Sequence, residues 1–254
     1  MDIVGRGRIV VWEGASLWLL EGGREAAELQ PHAHHAIQIT FCLRGSFELG
    51  VANERLGGPV VAIASDTGHT FRASGAVAFL FVAPESPVGR AIGEELFAGR
   101  PWASVTGAAV DACLDALRQC LDRGCTEDDM RRLGREIMRA MPAAAEPALA
   151  DPRVLAMIDF ASRNIEEAVT LPSAARLVNL SHGRARHLFV EHTGLPFKTY
   201  VLWLRLERAV SLYAAGSSLT EAAHHAGFAD SAHLSRTFRR TFGLPAAALR
   251  LYHD

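Results

Sequence analysis

Several absences narrow the class of this chain. No apolar run approaches the ~18 residues that a membrane-spanning helix needs, which argues against a helical membrane protein. The start, MDIVGRGRIV, interrupts its apolar residues with Gly and Arg and has no secretory h-region, so a cytoplasmic location is expected. Cysteine is scarce: Cys42, Cys113, Cys120 and Cys125, no two of them forming a CxxC pair. In a reducing compartment they read as small buried hydrophobes, with a thiol sensor or soft-metal site as the alternative to that core role. An excess of positive charge is also missing. Lys+Arg 26 against Asp+Glu 28 leaves a net charge of -2, which taken whole disfavours a strongly basic nucleic-acid binder. What is present is ordinary for a folded chain. With 254 residues, 49% hydrophobic and 21% charged, it is long enough for one or two domains with buried cores.

The charge is unevenly placed. From Asp151 onward 12 basic residues face 9 acidic ones, a net of +3, and the remainder carries −5. Seven of the 11 His also lie in that last part. Between the two runs PAAAEPALADP, residues 142–152, whose three Pro cannot continue a helix. The expected organisation is α+β in two domains: residues 1–141 (strands to about 85, helices from about 86), a linker at 142–152, and an all-α part at 153–254.

The all-α part contains a repeat. TLPSAARLVNLSHGRARHLFVEHTGLP, from Thr170 to Pro196, aligns with SLTEAAHHAGFADSAHLSRTFRRTFGLP, from Ser218 to Pro245. Each copy has the parts of a helix-turn-helix. A short helix opens at Thr170 or at the capping box Ser218-x-x-Glu221. A turn follows at Asn179-Leu180 or Gly227-Phe228, where Asn and Gly tolerate left-handed backbone. A second helix starts at Ser181 or Asp230. Ala185, Leu188 and Phe189 form the apolar stripe of one second helix, and Leu234, Phe238 and Phe242 that of the other. Away from those stripes stand His182, Gly183, Arg186 and His187 in the first, and Ala232, Arg236, Arg239 and Arg240 in the second. One such face is ordinarily just solvated. Two with the same polarity suit entry into the DNA major groove. Phe197 to Ala214 reads as a helix of roughly 27 Å between the copies, close to the ~34 Å of one DNA turn.

GFADSAHLSRTFRRTFGLP and LFVEHTGLPF resemble the DNA-binding domain of AraC/XylS-type transcriptional regulators over about residues 153–252. The resemblance implies base contacts from Gly183, Arg186 and His187 in the first reading helix. It implies Ser231, Ala232, His233 and Arg236 in the second. Arg186, His187 and Arg236 should carry the readout, because Gly183 and Ala232 offer little side chain. Arg239, Arg240 and Thr193 are expected at phosphates. Leu249 stands where such proteins usually have an aromatic residue in a closing helix.

The first part alternates like a β-sandwich or barrel at Gln30–Gly50 and Val60–Val82, punctuated by Gly. Helical spacing follows from Gly107 to Met141, with Thr126-x-x-Asp129 as a cap. In AraC-type proteins such a helical pair is commonly a dimer contact, so a homodimer is expected. In PHAHHAIQITFCLRG, His32, His34 and Gln38 share parity, so on a strand they point to one face. His35 has the opposite parity and should lie outside. Cys42 is taken as core. The pattern resembles the first cupin motif with Gln for the usual Glu, and SDTGHTF, with His69, resembles the end of the second. By that resemblance His32, His34, Gln38 and His69 hold the metal-ligand positions, with Zn, Ni, Cu, Co or Fe the suitable ions. The alternative is a cupin whose His line an organic-ligand pocket without metal. Two function classes compete. One is a DNA-binding regulator, not an enzyme, sensing a small molecule or metal. The other is a metal-dependent cupin enzyme with a helical appendage, for which Glu48 is the nearest inward carboxylate.

Overall fold

The computed structural model describes residues 5–22, 27–145 and 148–252, so Glu146 and Pro147 of the expected linker lie outside the described residues. The chain divides into two compact units. The first comprises Met1–Pro147 together with Phe238–Asp254, and the second Ala148–Thr237.

Among the described residues, the first unit is built on a nine-stranded sheet. Its strands are β1 (Gly5–Trp12), β2 (Ala15–Glu21), β3 (Ala27–His32), β4 (Ile37–Val51), β5 (Glu54–Leu56), β6 (Val60–Ile63), β7 (His69–Val82), β8 (Trp102–Ser104) and β9 (Leu249–Leu251). The order runs β8-β6-β4-β7-β2-β1-β9, with β3 on β7 and β5 on β4. Strand β7 is the spine. β4 pairs along one edge of it, while β3 and β2 share the other edge.

Period-two alternation gives this sheet two dissimilar faces. Leu17, Leu19, Ile39, Phe41, Ala78 and Leu80 face one way, into a core they share with Val110, Leu114, Leu117, Met130, Leu133 and Ile137. Those last residues belong to α2 (Ala108–Arg123) and α3 (Glu127–Ala140), a helical pair preceded by the short α1 (Pro87–Ile92) and a π-helical turn at Gly93–Phe97. The expected cap of α3 is present: the Thr126 side chain and Asp129 form a reciprocal capping box. Intervening residues such as Trp18, Phe79 and Phe81 face the other way and line a cavity.

The register of β4 on β7 shifts between Cys42 and Arg44. Such a bulge reverses the parity of everything after it. Phe47 and Leu49 are therefore buried, while Glu48 is exposed and pairs with Arg55 at 3.6 Å. The inward carboxylate expected at Glu48 is thus not there. Cys42, expected in the core, is half-buried.

The second unit carries α4 (Pro152–Arg163), α5 (Leu171–Leu177), α6 (His182–Thr193), α7 (Phe197–Ala214) and α8 (Leu219–His225), and α9 (Ser231–Phe242) begins in it. Val154, Met157, Ala174, Ala185, Phe189 and Tyr200 form its core from α4 to α7. The repeat is visible in the backbone. Asn179 and Gly227 occupy the turns at φ of 54° and 74°, and Gly194 and Gly243 follow the second helices at 73° in both cases. Ser181 caps α6 by accepting from Arg184 N, and Asp230 accepts from His233 N. The expected closing helix is replaced. After Gly243 the chain makes a short 3₁₀ turn at Ala246–Ala248, then pairs as β9, parallel to β1. Pro245 lacks an N–H to extend a helix, and the free edge of β1 supplies partners instead.

Candidate ligand centre and nucleic-acid interface

Three histidines converge at the cavity of the first unit. His32 ends β3, His69 opens β7, and the two are paired in the sheet register. His34 lies in the bend joining β3 to β4, and Gln38 sits on β4. One continuous strand does not carry all three first-motif residues, as the parity reading supposed. The chain bends between His32 and Ile37, and the convergence comes from that bend plus the β3–β7 pairing. One ring nitrogen from each of His32, His34 and His69 lies within 4.8 Å of the others. All three and Gln38 are buried.

Their hydrogen bonds sort the ring nitrogens. The Nδ1 atoms of His32, His34 and His69 lie 2.8, 3.0 and 2.9 Å from the carbonyl oxygens of Gln30, Ala36 and Thr67. A carbonyl only accepts, so each Nδ1 carries the proton and each neutral Nε2 offers a lone pair. Burial enforces neutrality. It holds His32 below its ordinary range and, aided by neighbouring imidazoles, pushes His34 down to about 4 and His69 to about 3. His69 Nε2 is buried without a hydrogen-bond partner. His34 Nε2 lies 2.9 Å from Gln38 Oε1. Two acceptors facing each other need something positive between them, or the amide turned over so that its nitrogen donates to the ring. A transition-metal ion fits this donor set: neutral imidazoles with backbone-held Nδ1–H groups, plus an amide oxygen.

His35 corrects an expectation. It is buried, not outside, with Nδ1 3.2 Å from Asp66 and Nε2 3.1 Å from Glu85. Burial opposes its charge, but the two carboxylates outweigh burial and raise its pKa to about 9. The β3–β4 bend, absent from the parity reading, turns it inward.

The cavity beside the histidines has a volume of about 70 Å³ and largely apolar walls, including Trp18, Phe79, Phe81 and Phe242. Phe242 lies 4.9 Å from Trp18 and 6.2 Å from His34, ring centre to ring centre. Sequence reasoning missed these walls. Trp18, Phe79 and Phe81 were accessible to it, because they alternate with the helix-facing residues of their own strands. Phe242 was not, because its place depends on where the end of α9 packs.

The helix faces match their expected patterns. On α6, Ala185, Leu188 and Phe189 are buried, while His182, Gly183, Arg186 and His187 are exposed. On α9, Leu234, Phe238 and Phe242 are buried, and Ala232, Arg236, Arg239 and Arg240 exposed. Ser231 and His233 are half-buried, the His233 ring lying 5.1 Å from Phe228. Thr193 is not placed for a phosphate. It is buried, and its hydroxyl donates to Phe189 O at 2.8 Å, closing the end of α6.

Comparison with known proteins bears on both units. The family model described as a helix-turn-helix domain matches residues 174–251. YpdC of Escherichia coli, named an uncharacterized HTH-type transcriptional regulator, is 30% identical over 113 residues, 44% of this chain and 39% of its own. The HTH-type transcriptional activator RhaS of Escherichia fergusonii is 34% identical over 105 residues, covering 41% of this chain and 38% of its own. The chain thus spans about two fifths of the length of these curated relatives. Among solved structures, an apo ToxT variant from Vibrio cholerae superposes with a TM-score of 0.61 at 11% identity, covering 93% of this chain and 96% of that one. That likeness establishes the fold: a sheet-rich N-terminal part and a helical C-terminal part. Among the described residues, no helix is long and apolar enough to cross a membrane.

Proposed function

Taking residues 174–251 as a helix-turn-helix domain of the AraC type, we propose that this chain is a sequence-specific DNA-binding transcription regulator with a cupin-like sensory part. The carrying observation is the duplicated helix pair whose second members, α6 and α9, each expose Arg and His beside small residues. Gly183 and Ala232 let backbone approach the bases, and Arg186, His187 and Arg236 read base edges, with Ser231 and His233 beside them. Arg239 and Arg240 hold phosphates. The two curated relatives above are named as a regulator and an activator, and Glu48 is exposed and paired with Arg55, so the enzyme reading loses its acid–base candidate.

The test is binding to the DNA around the chain's own gene at several salt concentrations. Salt-sensitive, sequence-selective binding is expected, and its absence at every site tried would refute the reading. Arg236→Ala should weaken binding to the preferred site by ~1–3 kcal/mol and relax selectivity at one base position. An equal loss on all sequences would remove Arg236 from base readout.

In the sensory part, His32, His34 and His69 with the Gln38 oxygen hold a transition metal. When bound, such an ion supplies a Lewis-acidic point for an effector's donor atom. The chain's own residues orient the imidazoles through the three backbone carbonyls and exclude water with aromatic walls. ToxT of Vibrio cholerae has been solved bound to an unsaturated fatty acid. Here the cavity suits a compact apolar or aromatic molecule, and an effector acts only by binding two conformations unequally. Metal analysis of untagged protein should find stoichiometric metal that His69→Ala loses. A metal-free pocket holding an organic molecule would refute the metal site and leave the DNA reading standing. The exposed side of α2 and α3 serves as the homodimer contact, which sedimentation would check.

A further inference from the structure

Cys120 and Cys125 are bonded to each other, with Cα atoms 5.2 Å apart. This departs from the reading of all four cysteines as unpaired core residues. Cys120 lies in the last turns of α2, and Cys125 immediately precedes Thr126, the cap of α3. Gly124, at φ 73°, turns the chain back and brings the two side chains together. Both are half-buried at the edge of the sheet–helix core. The other two thiols differ. Cys113 is buried and unbonded, Cys42 is unbonded, and burial keeps both protonated.

The bond is not needed to hold the hairpin. Leu114, Leu117, Met130, Leu133 and Ile137 already pack α2 and α3 onto the sheet, and the capping box fixes the start of α3. A bridge between residues five apart closes a very short loop, which constrains the unfolded chain least. A disulfide that the fold does not require is free to open and close.

We propose that Cys120 and Cys125 are a reversible dithiol–disulfide couple that responds to low-molecular-weight disulfides such as oxidised glutathione and, when oxidised, locks the turn between α2 and α3. In the forward step one cysteine thiolate attacks a glutathione sulfur. A protein–glutathione disulfide forms and one glutathione leaves as thiol. The second cysteine thiolate then attacks the protein sulfur of that mixed disulfide and expels the second glutathione. Two thiols become one disulfide, two glutathiones are released, and two electrons and two protons pass from protein to glutathione. Reduction reverses each step.

The test uses the full-length protein equilibrated in glutathione buffers from reducing to oxidising, acid-quenched, denatured, alkylated and mapped by mass spectrometry. One intramolecular disulfide is expected, confined to the peptides holding Cys120 and Cys125. It should appear in a single reversible transition, with Cys42 and Cys113 alkylated throughout. Cys120→Ser should abolish the transition and Cys113→Ser should leave it intact. Hydrogen exchange at residues 121–126 should be slower in the oxidised form. The proposal fails if all four thiols stay alkylatable, if the bond persists in the most reducing buffer, if either cysteine pairs elsewhere, or if exchange is equal in both forms. None of these readouts depends on metal content or DNA binding.

Discussion

Four histidines within a short stretch of structure meet opposite fates, and the difference lies in what faces each ring. His32, His34 and His69 face carbonyls and one another, so burial keeps them neutral. His35 faces Asp66 and Glu85 and is held charged. Because its folded pKa is raised to about 9 from an unfolded value near 6.5, its stabilising effect is fully present below about pH 6.5. It is lost as pH rises through about 9. Urea unfolding from pH 6 to 10 should therefore show stability falling along this alkaline limb, and His35→Gln should flatten it. An unchanged limb in His35→Gln would assign the fall to other groups.

At the scale of elements, the sharpest constraint is Gly243. It holds φ 73°, and a Cβ there would meet Gln30 O and His32 Nδ1, each at 2.6 Å. Gly243→Ala should destabilise the fold by ~1–3 kcal/mol through backbone strain and displaced contacts, measurable as a lower denaturation midpoint. In the hairpin, Leu117 is fully buried between the helices and the sheet. Leu117→Ala should cost ~2–5 kcal/mol. Local elements were largely legible in the sequence because local rules set them. Caps at Thr126, Ser181 and Asp230, left-handed turns at Asn179 and Gly227, and the stripes of α6 and α9 follow from a few neighbouring residues. What depended on distant partners was not legible. The bulge after Cys42 reversed the parity of Glu48. The β3–β4 bend buried His35. The edge of β1 drew Leu249–Leu251 into a strand where a helix was expected. The three histidines proposed as metal ligands fell between these cases. Their residues were named from motif resemblance, while their convergence rests on a bend and a strand pairing that parity did not foresee.

Over the whole molecule, the net charge of -2 conceals an acidic first part and a modestly basic last part. DNA binding is favoured by where Arg186, Arg236, Arg239 and Arg240 stand, not by total charge. With about four such cations per chain, the logarithm of affinity should fall against the logarithm of salt with a slope no steeper than about −4 per bound chain. A much steeper slope in a salt titration would mean that other basic residues make the contacts. The pairing of Leu249–Leu251 with Gly5–Gly7, extended by Tyr252 N donating to Gly7 O at 2.8 Å, bears on how the chain can be divided. Residues 249–252 sheathe the outer border of β1. A fragment cut at the linker would leave that border bare, an open template for other copies to add to. Residues 1–147 alone should accordingly form concentration-dependent aggregates by light scattering under conditions where the full chain does not. The boundary that divides the sequence most naturally is thus a poor place to cut the protein.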